Sequence, residues 1–318
     1  MAVYTHVSAL DLEVFLSAYD IGVATSLKGI AEGVENSNYF LETSAGRYIL
    51  TLYEKRTAPG DLPYYLDIMG ILAQKGLPCP LPITDKSGQA LKKLNGKMAC
   101  IISFLKGVST DTPTAAHCQS VGVALAQMHS SLSDFAKQKD NPLTLPAWQD
   151  LFHKNKKRAD EIQPGLSAMI EKELTFLSAH WPKGLDLPMG TIHADLFPDN
   201  VLFTDTAVSG LIDFYFSCYD YLAYDLAVCI TAWCFDSQHI FQPHLAEGLI
   251  KGYQSIRPLT NDEKTALPFF CRGACMRFLL TRLNDWFADT PGAVVNKKNP
   301  LDYMQKLTAF QQGHLLND

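Results

Sequence analysis

The chain has 318 residues, 47% of them hydrophobic and 19% charged, with a net charge of -6 at pH 7. That is the composition of an ordinary globular protein, long enough to bury a core without disulfides or a structural metal. The acidic balance argues against nucleic acid or an anionic membrane as the main partner, while a small anionic ligand stays possible because one positive pocket can sit on an acidic surface.

The eight cysteines lie mostly inside apolar segments such as "MACIISF" and "LAVCITAW". With no CxxC pair and no zinc spacing, they read as small buried hydrophobes of a reducing compartment. No basic stretch followed by an apolar one marks a signal peptide at the N-terminus. No apolar run approaches the ~20 residues of a membrane span. A soluble, cytoplasmic protein is the expectation.

In chain order, "SALDLEVFLSAYD" sets Leu10, Val14 and Ala18 at helical spacing and predicts a short amphipathic helix. "NYFLETSAGRYILTLYE" is two β-rich runs around "TSAG", a hairpin with Gly46 free to take a positive φ. "DLPYYLDIMGILAQKG" predicts a helix with Asp61 as N-cap and Gly76 just past its end. Three short strands follow, parted by "KSG" and "LNGK" turns. From residue 108 the texture becomes helical, beginning with Pro113 and the stripe Val121, Leu125, Met128. Further helical patterns cover about 146–180, 222–235, 240–255 and 262–287. The boundaries drawn are a sheet-rich part at 1–102, a connector at 103–107 and a helical part at 108–318. The fold class is therefore α+β in two lobes, whose cleft is the default ligand site.

One strand-like island, "TIHADLFPDNVLFTDTAVSGLIDFYF", interrupts the helices. "NVLFT" and "SGLIDF" read as strands joined by a turn, which would bring Asn200 close to Asp213. An amide oxygen and a carboxylate are hard ligands suited to Mg²⁺. Asp195, on the preceding loop, could take a proton from a hydroxyl. A base and oxygen ligands for a metal are the parts that phosphoryl transfer needs.

The spacing matches a known template. Protein kinases carry H-R-D-x-x-x-x-N and then D-F-G. "HADLFPDN" puts His193, Asp195 and Asn200 in that register, and "DFY" stands in place of "DFG". Without the Arg and the final Gly, the pattern resembles the aminoglycoside phosphotransferase/choline kinase-like branch of the protein-kinase-like superfamily. The stretches "GIAEGVENSNYFLET", "YILTLYEKR", "IISFLKG", "LIDFYFSCYDYLAYDLAVCITAWCF" and "RFLLTRLNDWF" extend the resemblance over most of the chain, and it is strongest to the homoserine kinases of that branch.

The resemblance implies a bilobal protein-kinase-like fold, with a small β-rich N-terminal lobe and a larger, mainly helical C-terminal one. It implies ATP and Mg²⁺ as cofactors and L-homoserine as the small-molecule substrate, with no nucleic acid or membrane partner, in a monomer or weak dimer. Asp195 would be the catalytic base, with His193 supporting the loop, Asn200 and Asp213 on the metal, and Asp225 bracing the C-terminal lobe near the loop. Ser103 and Leu105 would meet adenine through main-chain groups. Gly29, Gly33, Asn36 and Ser37 would lie in the phosphate-covering segment, and Asp220, Tyr224 and Arg277 on the acceptor side.

The sequence departs from the pattern in two places. Thr51 occupies the slot of the strand lysine, which leaves Lys28, Arg47 and Lys55 as the nearest positive charges, and the following helix has no glutamate to pair with a lysine. Arg272, Arg277 and Arg282 recur at five-residue spacing and cannot share one helix face; Arg277 is the one expected in the cleft. His129, near a helix end, reads as a structural partner of the last carbonyls. Other hydroxyl acceptors (choline, methylthioribose, aminoglycosides) and a nucleotide-binding pseudoenzyme are the rival readings.

Overall fold

The computed structural model describes residues 3–30, 36–54, 58–288 and 297–313. The chain divides into two compact units. The first takes residues 1–107 and 209–215, the second 108–208 and 216–318.

The first unit is built on an antiparallel sheet. Strands β1 (Ala24–Gly29), β2 (Ser37–Thr43), β3 (Gly46–Leu52), β4 (Pro82–Ile83), β5 (Leu91–Leu94) and β6 (Lys97–Ser103) lie in the order β1-β2-β3-β6-β4, with β5 also paired to β6. β2 alternates strictly between buried and half-buried residues, as a strand with one covered face should. β3 does not alternate: Leu50, Thr51 and Leu52 are all buried, because both faces of this central strand are covered. Leu50 and Leu52 join the core made with helix α1 (Ala9–Leu16), while on the other face Tyr53 meets Tyr215.

The stripe expected on α1 is on the wrong side. Leu10 and Val14 are 70% and 66% exposed, and the helix buries Leu12, Phe15 and Leu16 instead. At eight residues, the i, i+3, i+4 set with the larger side chains wins. Helix α2 (Leu62–Gln74) has Asp61 at its N-cap, although the carboxylate makes no capping bond there, and Gly76 follows with φ 82°. Gly46 opens β3 without a left-handed φ, whereas Asn95 and Gly96 both adopt one in the β5–β6 turn, the type I′ signature of an Asn-Gly pair.

The second unit is helical: α3 (Ala115–Ser131), α4 (Leu145–Ile162), α5 (Leu166–His180), α6 (Leu222–Trp233), α7 (Pro243–Gln254), α8 (Asn261–Phe287) and α9 (Leu301–Gln311). The stretch read as helical over 146–180 breaks at Pro164 and Gly165, the latter at φ 83°, and α9 was not anticipated. Two short strands absent from the sequence reading, β7 (Met189–Ile192) and β10 (Cys218–Tyr221), pair antiparallel with Ile192 opposite Cys218. Between them come β8 (Val201–Thr204) and β9 (Ala207–Leu211), turning about Asp205 at φ 54°. Within β9, at Ser209, the chain passes to the first unit's residues. The β7/β10 ribbon positions the polar loop, because β7 runs into it and β10 runs into α6.

α3 and α7 pack backbone against backbone. A Cβ on Gly122 would fall 2.0 Å from the Leu249 carbonyl oxygen, one on Gly252 2.0 Å from that of Gln119, and one on Gly248 2.8 Å from that of Ala115. Only glycine fits at such distances. All eight cysteines are free and buried. Among the described residues no helix is long and apolar enough to cross a membrane.

Candidate active site

The loop of residues 193–200 is held by buried charges rather than by regular structure. Ala194 takes a left-handed conformation at φ 63°, unusual for a residue with a side chain. Two groups fix it there. The Asp225 carboxylate on α6 accepts the His193 N–H at 2.7 Å and the Ala194 N–H at 2.8 Å, and the fully buried Arg277 on α8 donates to the Ala194 carbonyl. Asp225 is completely buried and accepts a third bond, from His129 Nε2 at 3.0 Å. Burial alone would raise its pKa. The His129 hydrogen bond, the proximity of the His129 and His193 rings and the loop N–H outweigh that and hold the carboxyl below its usual range.

Further along the loop, the Leu196 carbonyl accepts from Trp233 Nε1 at 2.8 Å, and Phe197 meets the Phe278 ring edge-on at 4.9 Å. Asp195 is half-buried, and its N–H donates to His193 Nδ1 at 3.3 Å. Asn200 is buried and turns its amide nitrogen to Asp195, donating to the carbonyl at 2.8 Å and to the carboxylate at 3.4 Å. With that orientation, the amide oxygen of Asn200 is the atom that could hold a metal. The second unit thus brings together His193, Asp195, Asn200, Asp225 and Arg277. His129, expected to meet helix-end carbonyls, instead bonds Asp225 and Tyr253; no sequence signal linked it to the loop.

On the expected acceptor side, Asp220 accepts from Asn141 Nδ2 at 2.6 Å and from the Tyr221 N–H, and burial raises its pKa. Tyr224 is buried against Trp181 and Phe270, with Arg277 beside its hydroxyl. The other two arginines serve elsewhere, Arg272 on Glu173 through two bonds and Arg282 on Asp302.

In the first unit, Asp213 is exposed and left-handed at φ 64°, so the expected metal pair is divided between the two units. The lysine slot holds a neutral set. Thr51 donates to Asn38 Oδ1 at 2.8 Å, and Tyr53 lies 3.0 Å from both the Tyr215 hydroxyl and Cys100 Sγ. Of the alternative cations, Arg47 pairs with Glu42, Lys28 is exposed on β1 and Lys55 lies outside the described residues.

The Ser37 hydroxyl is engaged within the first unit. Fully buried, it accepts the N–H groups of Tyr4 and Thr5 and donates its proton to Glu54 at 2.7 Å, leaving none for a phosphate. Asn36 is buried, with its side-chain oxygen on the Glu54 N–H. Gly29 ends β1 where a Cβ would come within 2.7 Å of Val3, and Gly33 lies outside the described residues. Ser103 already gives its N–H to the Leu81 carbonyl and takes the Leu81 N–H on its hydroxyl, while Leu105 follows β6 on the way out of the sheet.

A family model described as "Phosphotransferase enzyme family" matches residues 26–259. The chain belongs to the phosphotransferase enzyme family. Its relatives include a protein of Methylobacterium radiotolerans named homoserine kinase, 52% identical over 318 residues, which are 100% of this chain and 98% of the relative. Another of the same name from Beijerinckia indica is 53% identical over 312 residues, 98% of this chain and 96% of the relative. The fold is shared with a spectinomycin phosphotransferase solved with ADP and spectinomycin, at TM-score 0.71 and 16% identity over 96% of this chain and 94% of that one. It is shared also with a microcompartment-associated aminopropanol kinase, at TM-score 0.66 and 18% identity over 96% and 97%. The α+β, protein-kinase-like class expected from the sequence is thereby established, and this family member is an enzyme.

Proposed function

We propose that the chain phosphorylates the side-chain hydroxyl of L-homoserine with ATP, giving O-phospho-L-homoserine for threonine biosynthesis. The observation that carries this reading is the braced loop of residues 193–200, with Asp195 half-buried beside Asn200, in a chain about half identical over its length to proteins named homoserine kinase.

The transfer is direct and in line. The acceptor oxygen bonds to the γ-phosphorus as the bond from that phosphorus to the β,γ-bridging oxygen breaks, and ADP leaves. The hydroxyl proton passes to Asp195, whose carboxylate Asn200 helps to orient, and no phosphoenzyme forms. By the resemblance, the Asn200 amide oxygen and the Asp213 carboxylate would hold Mg²⁺, being oxygen donors of the kind that ion takes, and the bound ion would offset charge on the phosphates. Leu105 is the better main-chain partner for adenine, since the Ser103 N–H is already engaged. Gly29, Gly33 and Asn36 belong to the phosphate-covering segment. Asp220 meets the acceptor's ammonium, with Tyr224 and Arg277 forming the wall behind it. Eight buried thiols suit a reducing compartment, hence the cytoplasm.

The test is phosphorus-31 NMR of product, with ADP release, across L-homoserine, L-serine, L-threonine, choline, methylthioribose and kanamycin. Turnover confined to L-homoserine is expected. Asp195→Asn should lower kcat by roughly 10²–10⁴ with nucleotide affinity little changed. Turnover of a different acceptor alone would overturn the substrate assignment, and a near-normal rate in Asp195→Asn would remove the base.

A further inference from the structure

The polar contacts of Asp225 do not end at His129. His129 Nδ1 lies 2.8 Å from the Tyr253 hydroxyl, Arg257 Nη1 donates to that hydroxyl at 3.1 Å, and the same Nη1 pairs with Glu263 at 2.8 Å. Glu263 completes the capping box of α8, accepting the Thr260 N–H at 2.9 Å. His129, Tyr253, Asp225 and Glu263 are all buried. The chain of bonds therefore runs from the start of α8 through α7 and α3 to the backbone of the loop that carries Asp195. It needs α3 and α7 in backbone contact, which Gly122, Gly248 and Gly252 provide.

Proton bookkeeping gives this chain a direction. An arginine has no acceptor atom, so the Tyr253 oxygen must accept from Arg257. The hydroxyl proton is then free for His129 Nδ1, which is bare, and the ring proton sits on Nε2, facing Asp225. Every bond in the chain then has one donor and one acceptor. With the opposite tautomer, Nδ1–H would point at the hydroxyl, whose own proton would face only donors from Arg257, and Asp225 would lose a donor.

We infer that Tyr253 and Arg257 are positioning residues for the catalytic loop: they hold His129 as the neutral Nε2–H tautomer, and so keep Asp225 set to grip the His193 and Ala194 N–H groups. The charged and titratable groups facing His129 are Asp225 on α6, His193 on the loop, Tyr253 on α7 with Arg257 of the following turn behind it, and Glu263 on α8. The catalytic consequence rests on the reading of Asp195 as the base; the tautomer does not.

The experiment is nitrogen-15 NMR of the histidine-labelled full chain, paired with steady-state kinetics. In the wild type, His129 should show a protonated Nε2 and a bare Nδ1. In Tyr253→Phe, which keeps the ring and removes the proton donor, the Nδ1–H form of His129 should become populated. The kcat of that variant should fall about tenfold, the size of one lost buried hydrogen bond, with KM for ATP changing less than about twofold. Arg257→Lys, which keeps a donor and the charge, should retain more kcat than Arg257→Met. A wild-type His129 protonated on Nδ1 overturns the inference without any variant. So does a Tyr253→Phe protein that melts earlier yet keeps its kcat and its His129 spectrum, since that marks a purely structural residue. The expected His129 spectra in a protein inactive on every acceptor would support the bonding chain and fault the acceptor reading.

Discussion

Asp225→Asn tests the loop most directly, because it exchanges one oxygen for an NH₂ with almost no change of shape. The carboxylate accepts three hydrogen bonds in full burial: two from loop N–H groups and one from His129. Asparagine offers one oxygen, which can keep the two bonds now made to Oδ2. Its nitrogen would then face the Ala194 N–H, donor against donor. A buried donor without a partner costs about 1–3 kcal/mol, and each retained bond loses the added strength of a charged acceptor. The left-handed Ala194 is itself uphill by roughly 1–2 kcal/mol and relaxes once released. About 3 kcal/mol is the expected loss, which corresponds to roughly 10² in rate if the loop must be in place for chemistry. Urea denaturation gives the first quantity, and kcat at saturating ATP and acceptor gives the second. Loss of stability with kcat within about threefold of wild type would refute the coupling of the Asp225 grip to catalysis. The pH dependence has a definite sign. Because the folded carboxyl sits below its usual range, its contribution is fully present above the unfolded value of about 3.9 and disappears as pH falls through the lower folded value.

Gly252→Ala should destabilise the second unit by about 3 kcal/mol or more, because its Cβ would sit 2.0 Å from the Gln119 carbonyl in a contact made of two backbones; calorimetry with an unchanged melting temperature would contradict the close packing. Lys306 is buried over the rings of Tyr303 and Phe235, and burial lowers its pKa from 10.5 to about 8. Lys306→Met should therefore raise stability at pH 7, by at most about 3 kcal/mol, and the gain should shrink as pH rises from 8 to 10.5; a destabilised variant would show that the bond to the Thr231 carbonyl outweighs burial. Thr51→Lys, which restores the kinase residue, should lower the melting temperature and give no increase in kcat, since the slot is 2% exposed and α2 has no glutamate to receive the charge.

The loop was legible because its chemistry is local. His193, Asp195 and Asn200 sit within eight consecutive residues, and a fixed spacing survives in a single sequence. Asp225 was legible through "YDLA", which lies close to that loop in the resemblance. His129, Tyr253, Arg257 and Glu263 were not, since they meet only after α3, α7 and α8 pack, and helical periodicity reports which face is buried but not what it meets. The glycines at 122, 248 and 252 were visible as residues, but their meaning depends on a helix crossing that no spacing encodes. α1 failed for a different reason. In eight residues two stripes compete, and the heavier Leu12, Phe15 and Leu16 take the core. The bond from Ser37 to Glu54 was not legible either, because a serine beside a glycine-containing segment serves a phosphate or a buried carboxylate equally well.

The missing lysine also has a structural reading. Its slot is no cavity awaiting a cation. Thr51 and Asn38 satisfy one another, and Tyr53, Cys100 and Tyr215 close the same face with aromatic area and neutral hydrogen bonds. The last of these is the tyrosine of "DFY", packed edge-on to Tyr53 at 5.4 Å and to Tyr65 at 5.7 Å. A bulky residue where kinases have glycine and a short one where they have lysine are thus two sides of one packing solution. Burial drives the pKa values of Tyr53 and Tyr215 well above the ordinary range, so the face stays uncharged at any working pH. In the proposed reaction, charge that helps the phosphates would then come from Mg²⁺, from backbone N–H groups or from other side chains. The two departures from the kinase pattern count as one change, and they weaken the pseudoenzyme reading rather than support it.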